Sequence, residues 1–253
     1  MARRSPATSA GAGSRPLWFS PPFGDEEPRQ TLTRERVVAE AVTVIGVDGV
    51  DALSMRALAS RLGVVPGALY RHVRNKEQLH DLVLDGVLAE IDTMVDRALA
   101  WTDRVKMLAH RLRKVLEDHP GIAKLLKIRD PLGPHSLALA EAFLAPLREA
   151  GLPERQTGLA FSLVYDYTLG FALSDPTSVN EQRVHDAETR ANLHAFLKSL
   201  PADRFPALVA LGEYVWVDNR DERFTAGLDT LVGGLEAARR RHRRGDRGRQ
   251  PSR

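Results

Sequence analysis

From Thr31 onward, apolar residues recur three and four positions apart, and no stretch alternates apolar and polar residues in twos as a half-buried strand would. Gly63, Pro120-Gly121, Pro131 with Pro134, Gly151 with Pro153, Pro176 and Pro201 interrupt this periodicity. Glycine admits left-handed turns and proline lacks a backbone donor, so these positions divide the chain into about nine or ten helices. The expected fold is all-α. At 253 residues the chain can bury one large core or two modest ones.

There is no cysteine, which excludes disulfide scaffolds, thiolate zinc sites and cysteine nucleophiles. No apolar run reaches the roughly 18 residues that span a bilayer, and residues 1–24 lack the apolar centre of a signal peptide. A soluble cytoplasmic protein that contacts no membrane is expected. The net charge of +3 is unevenly distributed. Residues 29–76 hold eight Lys/Arg against four Asp/Glu, residues 239–253 hold eight arginines against Asp246 alone, and residues 77–238 carry seventeen against twenty-five. A basic amino-terminal module on an acidic body suggests that one end meets a polyanion. The same charges also fit a solvated face. Residues 1–28, rich in Ala, Gly, Ser and Pro, read as a disordered tail, with Trp18, Phe19 and Phe23 able to dock at no identified place.

A first helix is expected from Thr33 to about Val47, with Val37, Val38, Ala41, Val44 and Ile45 inward, ended by Asp48-Gly49. Ser54 caps a second helix carrying Leu58, Ala59 and Leu62, and Gly63 suits a left-handed turn after it. Pro66 opens a third helix with Leu69, Tyr70 and Val73, and Asn75 caps a fourth from Lys76 to about Ala98. Ala59 lets the second and third helices approach, with Leu58, Leu62, Val64 and Leu69 as the wedge between them. One face of the third helix is then free to enter a major groove about 12 Å wide.

The segment from Leu32 to about Leu88 resembles the DNA-binding domain of the TetR family of bacterial repressors. Its most distinctive run is Leu69-Tyr70-Arg71-His72-Val73-Arg74-Asn75-Lys76. The resemblance implies that Tyr70 and His72 donate to phosphate oxygens, that Lys76 neutralises another phosphate and that Ser54 anchors the second helix to the backbone strand. Arg56 matches a position able to read guanine O6 and N7. Met55 is placed with these residues. Pro66, Gly67, Ala68 and Arg71 lie on the exposed face of the third helix, and Gly67 and Ala68 have almost no hydrogen-bonding reach. Direct readout therefore rests on Arg56 and Arg71, with methyl contacts and DNA shape supplying the rest. The plainer readings are a packing role for Tyr70 and a surface histidine at His72. Arg61 and Arg74 read as solvated or as weak phosphate contacts.

Residues 99–238 exceed what such a module needs, and in the family this remainder binds ligand and dimerises. The runs from Ala142 to Leu152 and from Tyr165 to Leu173 resemble the tetracycline-repressor subgroup. The metal-binding histidine and carboxylate of that subgroup fall near Leu126 and on Ser174, which cannot serve as such ligands, although Asp130 and Asp175 lie close by. No tetracycline, no metal and no cofactor are expected. A small, largely apolar effector is expected, with Leu108, Leu112, Phe143, Leu147, Asp166, Tyr167 and Phe171 as pocket candidates. The competing reading of these leucines and aromatics is core. Asp166 stands out as a carboxylate in an apolar helix that needs a partner.

The family implies a homodimer on a palindromic double-stranded operator. The helices expected to form the dimer interface run from about Glu154 to Leu173 and from about Glu222 to Arg239. Phe224, Leu228, Leu231, Val232 and Leu235 make an apolar stripe on the second of them, while Gly227, Gly233 and Gly234 permit close approach. The tail from Arg239 reads either as a nonspecific DNA contact or as a disordered solubilising end. Against an enzyme, the sequence shows no phosphate-binding glycine loop, no nucleophile elbow and no paired histidines at metal spacing. An effector-independent DNA-binding protein is the remaining alternative, and it would need no pocket.

Overall fold

The computed structural model describes residues 31–173, 187–216 and 220–247. Among them are eleven α-helices and no strand. The order is α1 Arg34–Asp48, a 3-10 turn Val50–Ala52, α2 Met55–Arg61, α3 Pro66–Leu69, α4 Lys76–Leu88, α5 Trp101–Asp118, α6 Ile122–Ile128, α7 Pro134–Glu149, α8 Glu154–Leu173, α9 Ala187–Ser199, α10 Pro206–Trp216 and α11 Arg220–Arg247. The tail expected at 1–28, and Ser174 and Asp175, lie outside the described residues.

Local chemistry accounts for the amino-terminal helices. Ser54 caps α2, its hydroxyl accepting from the Ala57 amide at 3.1 Å. Gly63 takes φ +67°, and the Val64 amide reaches back to the Ala59 carbonyl at 3.0 Å, closing a Schellman-type turn. Asn75 caps α4 through the Gln78 amide at 2.8 Å, while the Gln78 side chain accepts from the Arg74 amide at 2.7 Å. Val37, Ala41, Val44 and Ile45 of α1 are buried against this module, and Leu58, Ala59, Leu69 and Val73 form the wedge.

In the body, α5 lies against α7, α8 and α11. Its inward stripe of Val105, Leu108, Leu112 and Leu116 meets Leu139, Phe143 and Leu147 of α7, Ala160 and Val164 of α8, and Phe224 and Leu228 of α11, all buried. The helix α4 bridges module and body. Asp81 pairs with Arg129 at 2.9 Å and Glu90 with His119 at 2.8 Å, and Lys124 of α6 reaches Asp51 at 2.8 Å. Gly121, at φ +89°, lies so close to α1 that a Cβ would sit 2.8 Å from the Ile45 side chain. Glycine is required there both for its backbone conformation and for space.

Four expectations are corrected. The connecting helix α4 ends at Leu88, not near Ala98. Asp92 and Asp96 turn their carboxylates onto the amides of Met94 and Ala98 at 2.9 and 2.8 Å, offering the backbone an alternative to helix. The Arg111 guanidinium then binds the carbonyls of Asp92 and Met94. The helical part of the recognition element stops at Leu69. Residues Tyr70–Val73 form a tighter turn, in which the His72 and Val73 amides share the Leu69 carbonyl. The carboxy-terminal helix continues to Arg247, so residues 239–247 are helical rather than disordered. Glu236 pairs with Arg239 and Arg240 one turn ahead, which supports that continuation. Finally, Phe224, Leu228 and Val232 point into the protomer's own core, with Leu231 and Leu235 half-buried. The close approach at Gly227 is likewise internal, to the Tyr167 hydroxyl of α8.

His80 on α4 is buried, and its Nε2 has no hydrogen-bond partner among the described residues. Burial first, then the nearby charges of Lys76 and Arg129, lower its pKa below the ordinary histidine value, against smaller opposing effects of Asp81 and Glu77. The unfolded chain therefore takes up the proton first as pH falls. The stability that the neutral imidazole preserves is complete above about pH 6.5 and is lost as pH drops toward the lower folded value. Replacing His80 with leucine should flatten this part of the stability profile, measured as urea midpoints between about pH 5 and 7.5. An unchanged slope would show that other groups carry it.

Candidate DNA-reading surface

The residues expected to meet DNA lie on the first turn of α2, on α3 and the turn after it, and at the head of α4. Ser54 and Arg56 stand at the first turn of α2, while Pro66, Gly67, Ala68, Tyr70, Arg71 and His72 occupy α3 and the turn that follows it. Ser54, Arg56, Pro66, Gly67, Tyr70 and Arg71 are exposed. Met55, Ala68, His72 and Lys76 are half-buried. Beneath them Leu58 and Leu69 are fully enclosed, so the surface is held by a rigid wedge. Tyr70 is 54% exposed, which sets aside a core role for it. Arg34 of α1 donates to the His72 carbonyl at 3.3 Å, tying the end of the recognition turn to the start of the first helix.

Exposure and rigidity suit this surface to a groove. The Arg56 fork and the Arg71 guanidinium carry charge-assisted donors, Tyr70 and His72 carry single donors, and Lys76 brings a point charge at the head of α4. Arg61 is engaged elsewhere: it pairs with Glu40 at 2.6 Å and Asp48 at 3.5 Å on the flank of the module. Val65, which precedes α3, is 71% exposed beside these residues, an apolar side chain that the sequence reading did not single out.

The proposed effector residues fall in different places. Leu108, Leu112, Phe143 and Leu147 are wholly enclosed, each at 0% exposure. Tyr167 donates to the Phe224 carbonyl at 3.0 Å and stacks on the Phe224 ring. Phe171 lies beneath the guanidinium groups of Arg113 and Arg220. These six line neither of two cavities found in the body. Asp166 does line one of them, but it is exposed at the rim rather than buried, which corrects the expectation that it needs a partner.

That cavity, of about 300 Å³, lies between the end of α4, the α6–α7 loop, the first turns of α7 and the middle of α8. Leu88, Pro131, Leu137 and Phe161 supply apolar wall, and Asp130, Ser136 and Tyr165 supply polar groups. Burial, with smaller contributions from Asp130 and Asp166, pushes the Tyr165 hydroxyl up to about 12, so it acts as a neutral donor at any physiological pH. The second cavity, about 710 Å³, is lined by Glu141, Arg148, Glu149 and Glu154 among others and touches no residue of α4.

A helix-turn-helix with an exposed basic reading face, carried on a larger helical body, defines a DNA-binding transcriptional regulator. Two family models match the chain: "Bacterial regulatory proteins, tetR family" over residues 37–83 and "Tetracyclin repressor-like, C-terminal domain" over residues 97–239. A curated HTH-type transcriptional regulator of Saccharopolyspora erythraea is 34% identical over 238 residues, spanning 93% of this chain and 97% of its own length. The HTH-type transcriptional repressor DrrR1 of Streptomyces coeruleorubidus is 31% identical, covering 87% of this chain and 83% of that one. Among solved structures, apo ActR of Streptomyces coelicolor superposes with a TM-score of 0.72 at 34% identity, over 83% of this chain and 98% of its own. ActR has also been solved in complex with actinorhodin. This chain belongs to the TetR family of transcriptional regulators, a family of regulators rather than enzymes. Among the described residues, no helix is long and apolar enough to cross a membrane.

Proposed function

We propose that the protein is a cytoplasmic repressor that binds a palindromic operator as a homodimer and is released by a small, largely apolar effector. The observation that carries this reading is the exposed set of Ser54, Arg56, Tyr70 and Arg71 over a fully enclosed Leu58–Leu69 wedge. Two such faces related by a two-fold axis fit successive major grooves about 34–36 Å apart. The presence of a cavity bordering α4 supports an effector-responsive regulator over one that needs no pocket. The effector is placed in the smaller cavity, because Leu88 connects its wall to the helix that carries the reading module. An effector there shifts the equilibrium only if it binds the DNA-free arrangement more tightly.

The test is a titration of the purified protein onto DNA from its own upstream region and onto scrambled DNA, over a salt series. Selective binding that weakens steeply with salt is expected. Lys76→Ala should weaken operator and scrambled DNA about equally and reduce the salt slope by about 0.9 per lost phosphate contact, or twice that for a dimer. Equal binding to both DNAs by the unaltered protein would overturn the repressor reading.

For the dimer, support comes from the outer face of α8. Leu159 and Leu163 are 53% and 44% exposed, and a Cβ at Gly158 or Gly170 would meet nothing within 4 Å. Gly233 and Gly234 of α11 are similarly open. Apolar side chains beside glycines suit close helix packing against a second copy. Leu163→Asp should yield a monomer by light scattering and a loss of operator affinity with the fold retained. A dimer that survives this change would place the interface elsewhere.

A further inference from the structure

We infer that Asp85 of α4 is the positioning residue that ties the DNA-reading module to the effector-side helices, by capping the amino terminus of α7 from another helix. This inference rests on the reading above that the placement of α4 governs operator affinity.

Helix α7 starts without a side-chain cap of its own. Its N-cap is Gly133 and its first residue is Pro134, so the local sequence supplies no oxygen for the amides that follow. Asp85 supplies it. One carboxylate oxygen accepts from the backbone amides of His135 at 2.9 Å and Ser136 at 3.1 Å, and the other lies 2.9 Å from His135 Nδ1. A Cβ at Gly133 would collide with this carboxylate, so the glycine makes the approach possible. The Ser136 hydroxyl donates to the carbonyls of Pro131 and Gly133, which fixes the turn around the cap. The Asp85 side chain is only 14% exposed. A carboxylate at a helix amino terminus, sheltered from water and accepting two amides, is bound more firmly than an exposed ion pair. The neighbouring Asp81–Arg129 pair is more open, at 49% and 28% exposure, and makes the weaker tie.

The position of this cap distinguishes it from an ordinary one. Asp85 lies one turn before Leu88, and Leu88, Ser136 and Leu137 all line the smaller cavity. On its other side α4 packs on α1, where a Cβ at Gly86 would lie 3.3 Å from Val38, and its first turn adjoins the recognition turn through Asn75 and Lys76. A displacement of the first turn of α7 must therefore carry α4 with it or break two amide hydrogen bonds. Hydrogen bonds weaken steeply once the donor–hydrogen–acceptor angle departs far from linear, so a movement that tilts the two amides away from the carboxylate loosens the tie.

The experiment compares the full-length protein with Asp85→Ala, Asp85→Asn, and the double variant Asp85→Ala with Gly133→Ser. Each is titrated onto the upstream operator fragment and onto scrambled DNA, and each is melted thermally. Asp85→Ala should lower the melting temperature by several degrees and weaken operator binding at least tenfold, with scrambled DNA bound as before. Asp85→Asn keeps an acceptor oxygen and should stay within about threefold of the unaltered protein. Gly133→Ser, in the space vacated by the carboxylate, gives α7 a local cap without a link to α4. The double variant should therefore regain thermal stability while operator affinity stays low. If operator affinity returns together with stability, Asp85 is a cap and nothing more, and the inference fails. It fails also if Asp85→Ala binds operator as the unaltered protein does, or if Asp85→Asn is as impaired as Asp85→Ala. Loss of operator preference in the unaltered protein would overturn the repressor reading itself, an outcome separable because no substitution is involved.

Discussion

If Arg56 reads a guanine as proposed from the family resemblance, Arg56→Ala should abolish discrimination between the operator and a variant carrying a changed base pair at that guanine. A bidentate arginine–guanine contact contributes about 1–3 kcal/mol of discrimination. A dimer makes it twice, so about 2–6 kcal/mol is expected on a symmetric site. The structure supports a loss confined to readout. Arg56 is exposed on the first turn of α2, no hydrogen bond or ion pair to it is seen among the described residues, and the cap at Ser54 is formed by a different side chain. Stability should therefore change by less than about 0.5 kcal/mol, as for an ordinary surface substitution. Tyr70→Ala is the informative contrast, since a phosphate contact carries no sequence information and its loss should weaken all sites alike. Fluorescence anisotropy on the operator and on single-base variants separates the two patterns. If Arg56→Ala weakens every sequence equally, Arg56 is a phosphate contact and readout falls to Arg71 and to DNA shape.

What was legible in the sequence was what local chemistry decides. Ser54, Gly63, Pro66 and Asn75 each act within a few residues of themselves, and each does in the structure what its type suggests. The exposure of Ser54, Arg56, Pro66, Gly67, Tyr70 and Arg71 followed because a helix-turn-helix leaves little choice about which face is free. The body was less legible, since an apolar stripe states that it will be buried without stating against what. The Phe224–Leu228–Val232 stripe serves the protomer's own core, whereas Leu159 and Leu163 of α8 are exposed, the face proposed above for a second copy. The early end of α4 depends on Arg111, nearly twenty residues beyond Asp92, coming round to hold the two carbonyls that an Asx turn frees. The cap of α7 depends on Asp85, fifty residues away from His135. No window along the chain contains both partners of either arrangement. Asp166 misled for a related reason: on a helix of high mean apolarity, its rim position shows only when the neighbouring helices are in place.

The largest stability effect should come from Phe224→Ala. The ring is at 0% exposure where α5, α8 and α11 converge. It stacks on Tyr167 with ring centroids 5.4 Å apart and an interplanar angle of 18°, and it meets Phe171 and His110 edge-on at 5.1 and 5.0 Å. The buried Arg113 guanidinium lies 4.7 Å from its centre and also pairs with Glu117 and Asp221. Removing the ring leaves a cavity that three helices cannot close without moving, which costs about 3–5 kcal/mol for a phenylalanine-to-alanine change in a core. The guanidinium also loses the face it rests on, and a desolvated cation–π contact contributes about 2 kcal/mol. The two losses overlap, because both are consequences of one missing ring, so a total near the top of the cavity range is expected rather than their sum. Phe224→Leu retains most of the volume but no π face. A cost of about 1–2 kcal/mol there would assign the greater part of the effect to packing. Urea denaturation with a constant slope between variants provides the measurement. If Phe224→Leu proves nearly as damaging as Phe224→Ala, the arginine–aromatic contact holds α11 in place, and the volume of the ring is secondary.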